Sequence, residues 1–308
     1  MQMRNKRPGL LFSGQGAQYV GMGKSLCEQW PIAREYYDRA DQILGWRLSH
    51  ACFEGPEDLL TQTKVCQLAL FVQGIVIFEI LKNEGTIESA GAVTGLSLGE
   101  ITALTAAEAM NFETGLQLVA ERARLMQEAC EKTAGSMASV IGGAPSQVEE
   151  LCRECGLQIA NLNCPGQIVI SGEKQRILDA LQRGRGMGFK LVKELQVAGA
   201  YHSRLMESAR KGFRPFVQAA DISEPKCPFY ANVSGQCVQD VAKIREGLVE
   251  QVVSSVRFED CLRSMGAALP QPVEMVECGP AKILAGLVRR TESSWTVYSF
   301  SESSDFAD

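Results

Sequence analysis

Gly95-Leu96-Ser97-Leu98-Gly99-Glu100 lies between the apolar run Ala90–Val93 and the helix-forming run Ile101–Met110. A Gly-x-Ser-x-Gly pentad at a strand-to-helix junction is a nucleophile elbow. The serine of such a turn is held in strained backbone, and the flanking glycines remove Cβ atoms that would collide there. Its hydroxyl stands at a helix N-terminus, where free N–H groups and the helix dipole favour negative charge. That setting suits a serine that attacks a carbonyl and creates an oxyanion.

Outward from the pentad, the pattern alternates strands with helices. Gly9–Phe12 reads as a buried strand ending in the loop Ser13-Gly14-Gln15-Gly16-Ala17-Gln18, with a helical stretch through 36–44. The run from Gln67 to Leu81 reads as a buried helix, and a helix from Gly115 to Glu131 follows the elbow. Alternation of this kind implies a parallel sheet covered on both faces. From Ser136 the rhythm becomes strand (136–141), helix (145–155), strand (158–163), strand (167–171), helix (173–182) and strand (190–197). That β-α-β-β-α-β order is the split ferredoxin-like unit. Afterwards the first pattern resumes, with a helix at 203–219 and strands near 229–232 and 274–277. The expected architecture is therefore α/β: a hydrolase-like large subdomain, 1–134 and 199–308, with a ferredoxin-like small subdomain, 135–198, inserted.

With 308 residues, 45% apolar and 22% charged, the chain can bury a full core. No apolar run is read as a membrane span and no export signal is read at the start, so a cytoplasmic monomer is expected. Eleven scattered cysteines read as reduced thiols. Cys152 and Cys155 form one C-x-x-C without a second ligand pair, and with only two histidines no metal is expected. The net charge of −5 argues against nucleic acid as partner.

A serine nucleophile needs a base, and the choice is between His50 and His202. His50 has no supporting motif. His202 follows the strand ending at Val197, in Gly199-Ala200-Tyr201-His202, where a side chain can enter the crevice at the sheet's carboxyl edge. On its helix Arg122 falls among Leu118, Val119, Leu125 and Met126, while Glu121, Arg124 and Glu128 fall outside that sector. A guanidinium on an apolar face needs an anion. The anion is either a structural Asp or Glu, or a substrate carboxylate gripped by the planar fork. The loop at 13–18 lacks the Lys-Ser/Thr of a phosphate loop, and its backbone N–H groups suit an oxyanion hole.

These motifs resemble the malonyl-CoA:acyl carrier protein transacylase family. The resemblance rests on FSGQGAQYVGMG at 12–23, TGLSLGE at 94–100, ERARLMQ at 121–127, NLNCPGQIVISG at 161–172, GAYHSRLM at 199–206, VEQVVSSVRF at 249–258 and ECGP at 277–280. It implies malonyl transfer through an acyl-enzyme, with malonyl-CoA as substrate and acyl carrier protein as partner. No cofactor is implied beyond the phosphopantetheine that the partner carries. By the same resemblance Ser97 is the acylated serine, His202 the base and Arg122 the carboxylate clamp. The N–H groups of Gln15 and Leu98 form the oxyanion hole, Gln251 orients His202, and Asn161 and Asn163 lie near the site. Two positions depart from the family: Leu96 stands where it has His, and Tyr201 where malonyl-selective members have Phe. A serine hydrolase sharing the elbow, or a transferase for another acyl-CoA of polyketide synthesis, is the alternative. A hydrolase of this fold would carry an acidic partner for the histidine and an HGGG motif, and the chain has no HGGG. Arg183, Arg185, Lys190 and Lys193 are a candidate surface for an acidic carrier protein.

Overall fold

A computed structural model describes residues 3–306. Its elements form two sheets. The first is fully parallel, in the order β2 (Ala92–Gly95), β1 (Gly9–Phe12), β7 (Glu274–Cys278), β8 (Thr296–Phe300). β1 sits inside it, with Phe12 level with Gly95 on one side and Cys278 on the other. All four residues of β1 and of β2 are buried, as expected for strands covered on both faces.

The second sheet is antiparallel: β4 (Gln158–Cys164), β5 (Gln167–Glu173), β3 (Gly135–Ile141), β6 (Leu191–Glu194). Helices Pro145–Cys155 and Lys174–Gly184 cross over one face, which gives the ferredoxin-like order. Their apolar sides close a separate small core around Val140, Leu151, Ile170 and Ile177. The fold is thus mixed α/β, a hydrolase-like part and a ferredoxin-like part. Cys152 and Cys155 are both buried in that small core, where desolvation pushes the Cys152 thiol up to about 12.

Three sequence readings change. The strand expected at 229–232 is an isolated bridge between Phe229 and Val93. The chain leaves the sheet there because Ala231 N–H turns to the Gln236 carbonyl and Asn232 N–H goes to Glu100. The strand expected at 190–197 ends at Glu194, and Val197 N–H closes a tight turn onto Leu195 instead. The helix Thr63–Asn83 is, by length and composition, long and apolar enough to cross a membrane, contrary to the reading that no run is. Its most apolar window is 89% buried inside the protein. It packs against the helices Pro31–Leu44, Gly99–Ala106 and Phe112–Lys132, so its apolarity on all sides serves a central core position.

Candidate active site

β2 ends at Gly95, and the chain reverses at once into helix Gly99–Ala106. Ser97 takes the left-handed conformation, φ 55°. A Cβ on Gly95 would run into the Gly99 carbonyl, and one on Gly99 into the Phe12 carbonyl, so the turn admits only glycine on both sides. Asn232 braces the turn: its Oδ1 accepts Ser97 N–H at 2.8 Å and its Nδ2 donates to the Gly95 carbonyl at 2.8 Å.

Among the described residues His202 is the other non-glycine cleft residue at positive φ, again 55°. Such a conformation is uncommon outside glycine and concentrates where a site over-determines it. Its Nε2 lies 2.8 Å from Ser97 Oγ, and its Nδ1 lies 2.8 Å from the backbone carbonyl of Gln251. A carbonyl only accepts, so Nδ1 carries the hydrogen and the Nε2 lone pair faces the serine. The imidazole is 3% exposed. Desolvation, and then the charge of Arg122, hold it down to about 4 against backbone hydrogen bonds that work the other way, so it is neutral at neutral pH. His50, by contrast, is exposed on helix Leu48–Glu54.

Arg122 comes from the helix Phe112–Lys132, whose start Asn111 caps through Thr114 N–H. The sequence reading of its face holds: Arg122 is 2% exposed, while Arg124 lies outside, bonded to Glu121 and Glu128. Its Nη1 donates to Gln67 Oε1 at 2.6 Å; its Nη2 donates to Gln251 Oε1 at 2.7 Å and to Ser97 Oγ at 3.0 Å. All three acceptors are neutral. The carboxylate whose charge acts on it is that of Glu100, and Gln251 is hydrogen-bonded to both. Burial lowers Arg122 to about 10, which leaves it charged at neutral pH.

The backbone N–H groups of Gln15 and Leu98 have no acceptor among the described residues. Both residues line a cleft of about 780 Å³ between the carboxyl end of β1 and β2 and the antiparallel sheet. Ser97, His202, Tyr201, Asn161, Asn163 and Leu96 line it too. Among the described residues Arg122 is the only Lys, Arg, Asp or Glu that does so. Asn163 Oδ1 is buried without a partner, an acceptor left over for something in the cleft. The Tyr201 hydroxyl is held 2.5 Å from Thr63 Oγ1 and receives Gln15 Nε2 at 3.4 Å. Leu96 packs with the apolar cluster of Leu284 and Leu287 at the cleft's edge.

The sequence profile of the acyl transferase domain matches residues 10–303. The chain belongs to that family. Over 285 residues this acyltransferase is 39% identical to the malonyl CoA-acyl carrier protein transacylase of Bacillus subtilis, covering 91% of this chain and 89% of the relative. It superposes with a TM-score of 0.92 on an acyl carrier protein S-malonyltransferase from Vibrio cholerae, 29% identical, over 98% of this chain and 99% of the other. A TM-score of 0.93, at 28% identity and over 98% of both chains, relates it to the malonyl-transacylase of a complex with a type II PKS acyl-carrier protein.

Sequence reading missed four residues of the acyltransferase's site: Gln67, Asn232, Thr63 and the packing role of Glu100. Glu100 stood inside the quoted motif, but its burial (1% exposed) was not apparent there. Desolvation pushes its carboxyl up to about 7, opposed by hydrogen bonds from Asn232 and Gln251 and by the charge of Arg122. Gln251 was expected to orient His202 through amide or carbonyl; the contact is the carbonyl, and the amide is engaged elsewhere.

Proposed function

We propose that this enzyme moves a malonyl group from malonyl-CoA to the phosphopantetheine thiol of acyl carrier protein through an ester on Ser97. One observation carries the choice of acyl group. A buried, fully charged guanidinium lies 3.0 Å from the nucleophile with only neutral side chains as partners. A cation so placed attracts an acyl group that ends in a carboxylate. Relatives named malonyl transacylase, that of Bacillus subtilis among them, support the same reading.

In the first half-reaction His202 Nε2 takes the Ser97 proton as Oγ attacks the thioester carbonyl. The oxyanion is received by the N–H groups of Gln15 and Leu98. Collapse breaks the C–S bond, and CoA leaves with the proton from His202. The carrier's thiol then gives its proton to His202, attacks the Ser97 ester and restores the serine hydroxyl. Gln251 serves through its carbonyl, which fixes the imidazole tautomer, while Asn161 and Asn163 face the pantetheine arm. Tyr201 walls the acyl pocket. The enzyme needs no cofactor of its own, and we take it to work as a cytoplasmic monomer. That a structural neighbour is bound to an acyl-carrier protein supports the choice of partner.

The test is a two-step labelling. Enzyme incubated with malonyl-labelled malonyl-CoA acquires label on Ser97, and added carrier protein in its phosphopantetheine form removes it. Release of free malonate in place of transfer would identify a hydrolase.

A further inference from the structure

Behind Ser97 and Arg122 lies a side chain that touches neither. Glu100 Oε1 accepts Asn232 N–H at 2.7 Å, and its Oε2 accepts Gln251 Nε2 at 2.5 Å. Each partner leads to the site. Asn232 holds the Ser97 N–H; Gln251 holds the Arg122 guanidinium through Oε1 and the Ser97 carbonyl through Nε2.

The Gln251 amide has two ends of similar shape, and the surrounding hydrogen bonds decide which way it points. Here its NH₂ faces three acceptors, the Glu100 carboxylate, the Ser97 carbonyl and, at 3.3 Å, Asn232 Oδ1, and its oxygen faces a donor, Arg122. Turned over, the amide would set NH₂ against guanidinium and oxygen against carboxylate and carbonyl. Buried as it is, that arrangement would leave at least three groups unpaired.

We infer that Glu100 is a positioning residue for acyl selection: with both oxygens accepting N–H groups, one of Asn232 and one of Gln251, it fixes the polarity of the Gln251 amide, which holds the Arg122 fork against the acyl pocket. This rests on the proposed role of Arg122 as the carboxylate clamp. Glu100→Gln keeps the shape but supplies a donor where Oε2 accepts. The peptide N–H of Asn232 cannot turn, so the oxygen of the new amide stays with it and the new NH₂ meets the NH₂ of Gln251. The two NH₂ groups repel, Gln251 is pushed off its seat between Glu100 and Arg122, and Arg122 loses its Gln251 acceptor. Glu100→Asp shortens the side chain yet keeps a carboxyl group and brings no NH₂.

The experiment measures kcat/KM for malonyl-CoA and for acetyl-CoA, each normalised to the number of acylatable Ser97 sites. For Glu100→Gln the malonyl-to-acetyl ratio falls roughly tenfold to a hundredfold, the scale of an ångström-sized misplacement of a positioning group. Glu100→Asp lowers both rates but keeps most of the ratio, a contrast that a merely structural carboxyl would not produce. A Glu100→Gln enzyme with the ratio of the unaltered one overturns the inference. Should that variant not fold, Gln251→Met decides. It leaves the backbone carbonyl on His202 and removes the amide, so the ratio falls to the same extent; an unchanged ratio overturns the inference again. Arg122→Ala is measured alongside. If it abolishes the ratio while Glu100→Gln and Gln251→Met keep it, only the positioning role falls. If Arg122→Ala leaves the ratio intact, the clamp and the inference fall together.

Discussion

Replacing Arg122 by Ala removes the cation on which malonyl selection is proposed to depend. The guanidinium is 2% exposed and spends its hydrogen bonds on Gln67, Gln251 and Ser97, none of them charged. A substrate carboxylate that pairs with it is therefore desolvated. Truncating one member of such a pair costs about 2–5 kcal/mol. At about 1.4 kcal/mol per decade, kcat/KM for malonyl-CoA falls roughly 30-fold to a few thousand-fold. Acetyl-CoA has no carboxylate, so its transfer is spared. It even gains slightly, because the charge that depresses the His202 base disappears. The change also strips donors from the Gln67 and Gln251 oxygens, which destabilises the fold by about 1–3 kcal/mol for each acceptor left dry. Thermal melts separate that loss from the kinetic one. Arg122→Lys, charged but without the planar fork, falls between. The assay is parallel kcat/KM measurement with the two CoA esters, and equal losses for both would refute the clamp.

Ser97→Ala loses covalent malonyl labelling and keeps its melting temperature, since one oxygen is removed at the cleft surface; label found on another residue would displace Ser97 as nucleophile. Tyr201→Ser relaxes the preference for malonyl-CoA over methylmalonyl-CoA by roughly 10–200-fold, the worth of one methyl-sized difference in an apolar pocket; an unaltered enzyme that already prefers methylmalonyl-CoA would show the ring not to be the wall. With acetyl-CoA as donor, kcat/KM holds as pH falls below the ordinary histidine value and is lost near pH 4. Below that His202 is protonated and cannot act as base; an acid limb at the ordinary value counts against His202. Reversing Lys190 and Lys193 raises KM for carrier protein in a salt-dependent way and leaves malonyl-CoA kinetics alone, whereas unchanged KM rejects that surface. Arg183 contributes less there, being paired with Glu154 at 2.9 Å.

What was legible in the residues follows a physical pattern. Gly95 and Gly99 announce the elbow because no other residue fits beside those carbonyls, and that constraint is local. Arg122 was legible because a charge in an apolar helical sector breaks the periodicity. Gln67 escaped notice for the converse reason. It lies in the helix Thr63–Asn83, buried on nearly every side, where no face stands out and a polar residue carries no directional signal. Asn232 is 135 positions from the serine whose N–H it holds, and nothing near it in the chain marks that contact. The strand expected around it failed through the same pull, since Asn232 gives its N–H to Glu100 and not to a neighbouring strand.

The lack of an acid behind His202 is a consequence of Arg122. Imidazole needs an acceptor at Nδ1 to fix its tautomer, and a carboxylate is the usual provider. Here a carboxylate at that point would stand close to a buried guanidinium already 3.0 Å from the nucleophile. The two would pair, and the positive field proposed to draw the malonyl carboxylate would be cancelled at its source. The Gln251 carbonyl orients the ring at 2.8 Å and brings no net charge. Glu100 is kept a hydrogen bond further back, behind the Gln251 amide, and burial moves its carboxyl up to about 7. It compensates Arg122 only in part. A neutral acceptor at His202, a cation beside Ser97 and an acid set behind both make one arrangement: each member lies where it can serve the serine without disarming the proposed clamp.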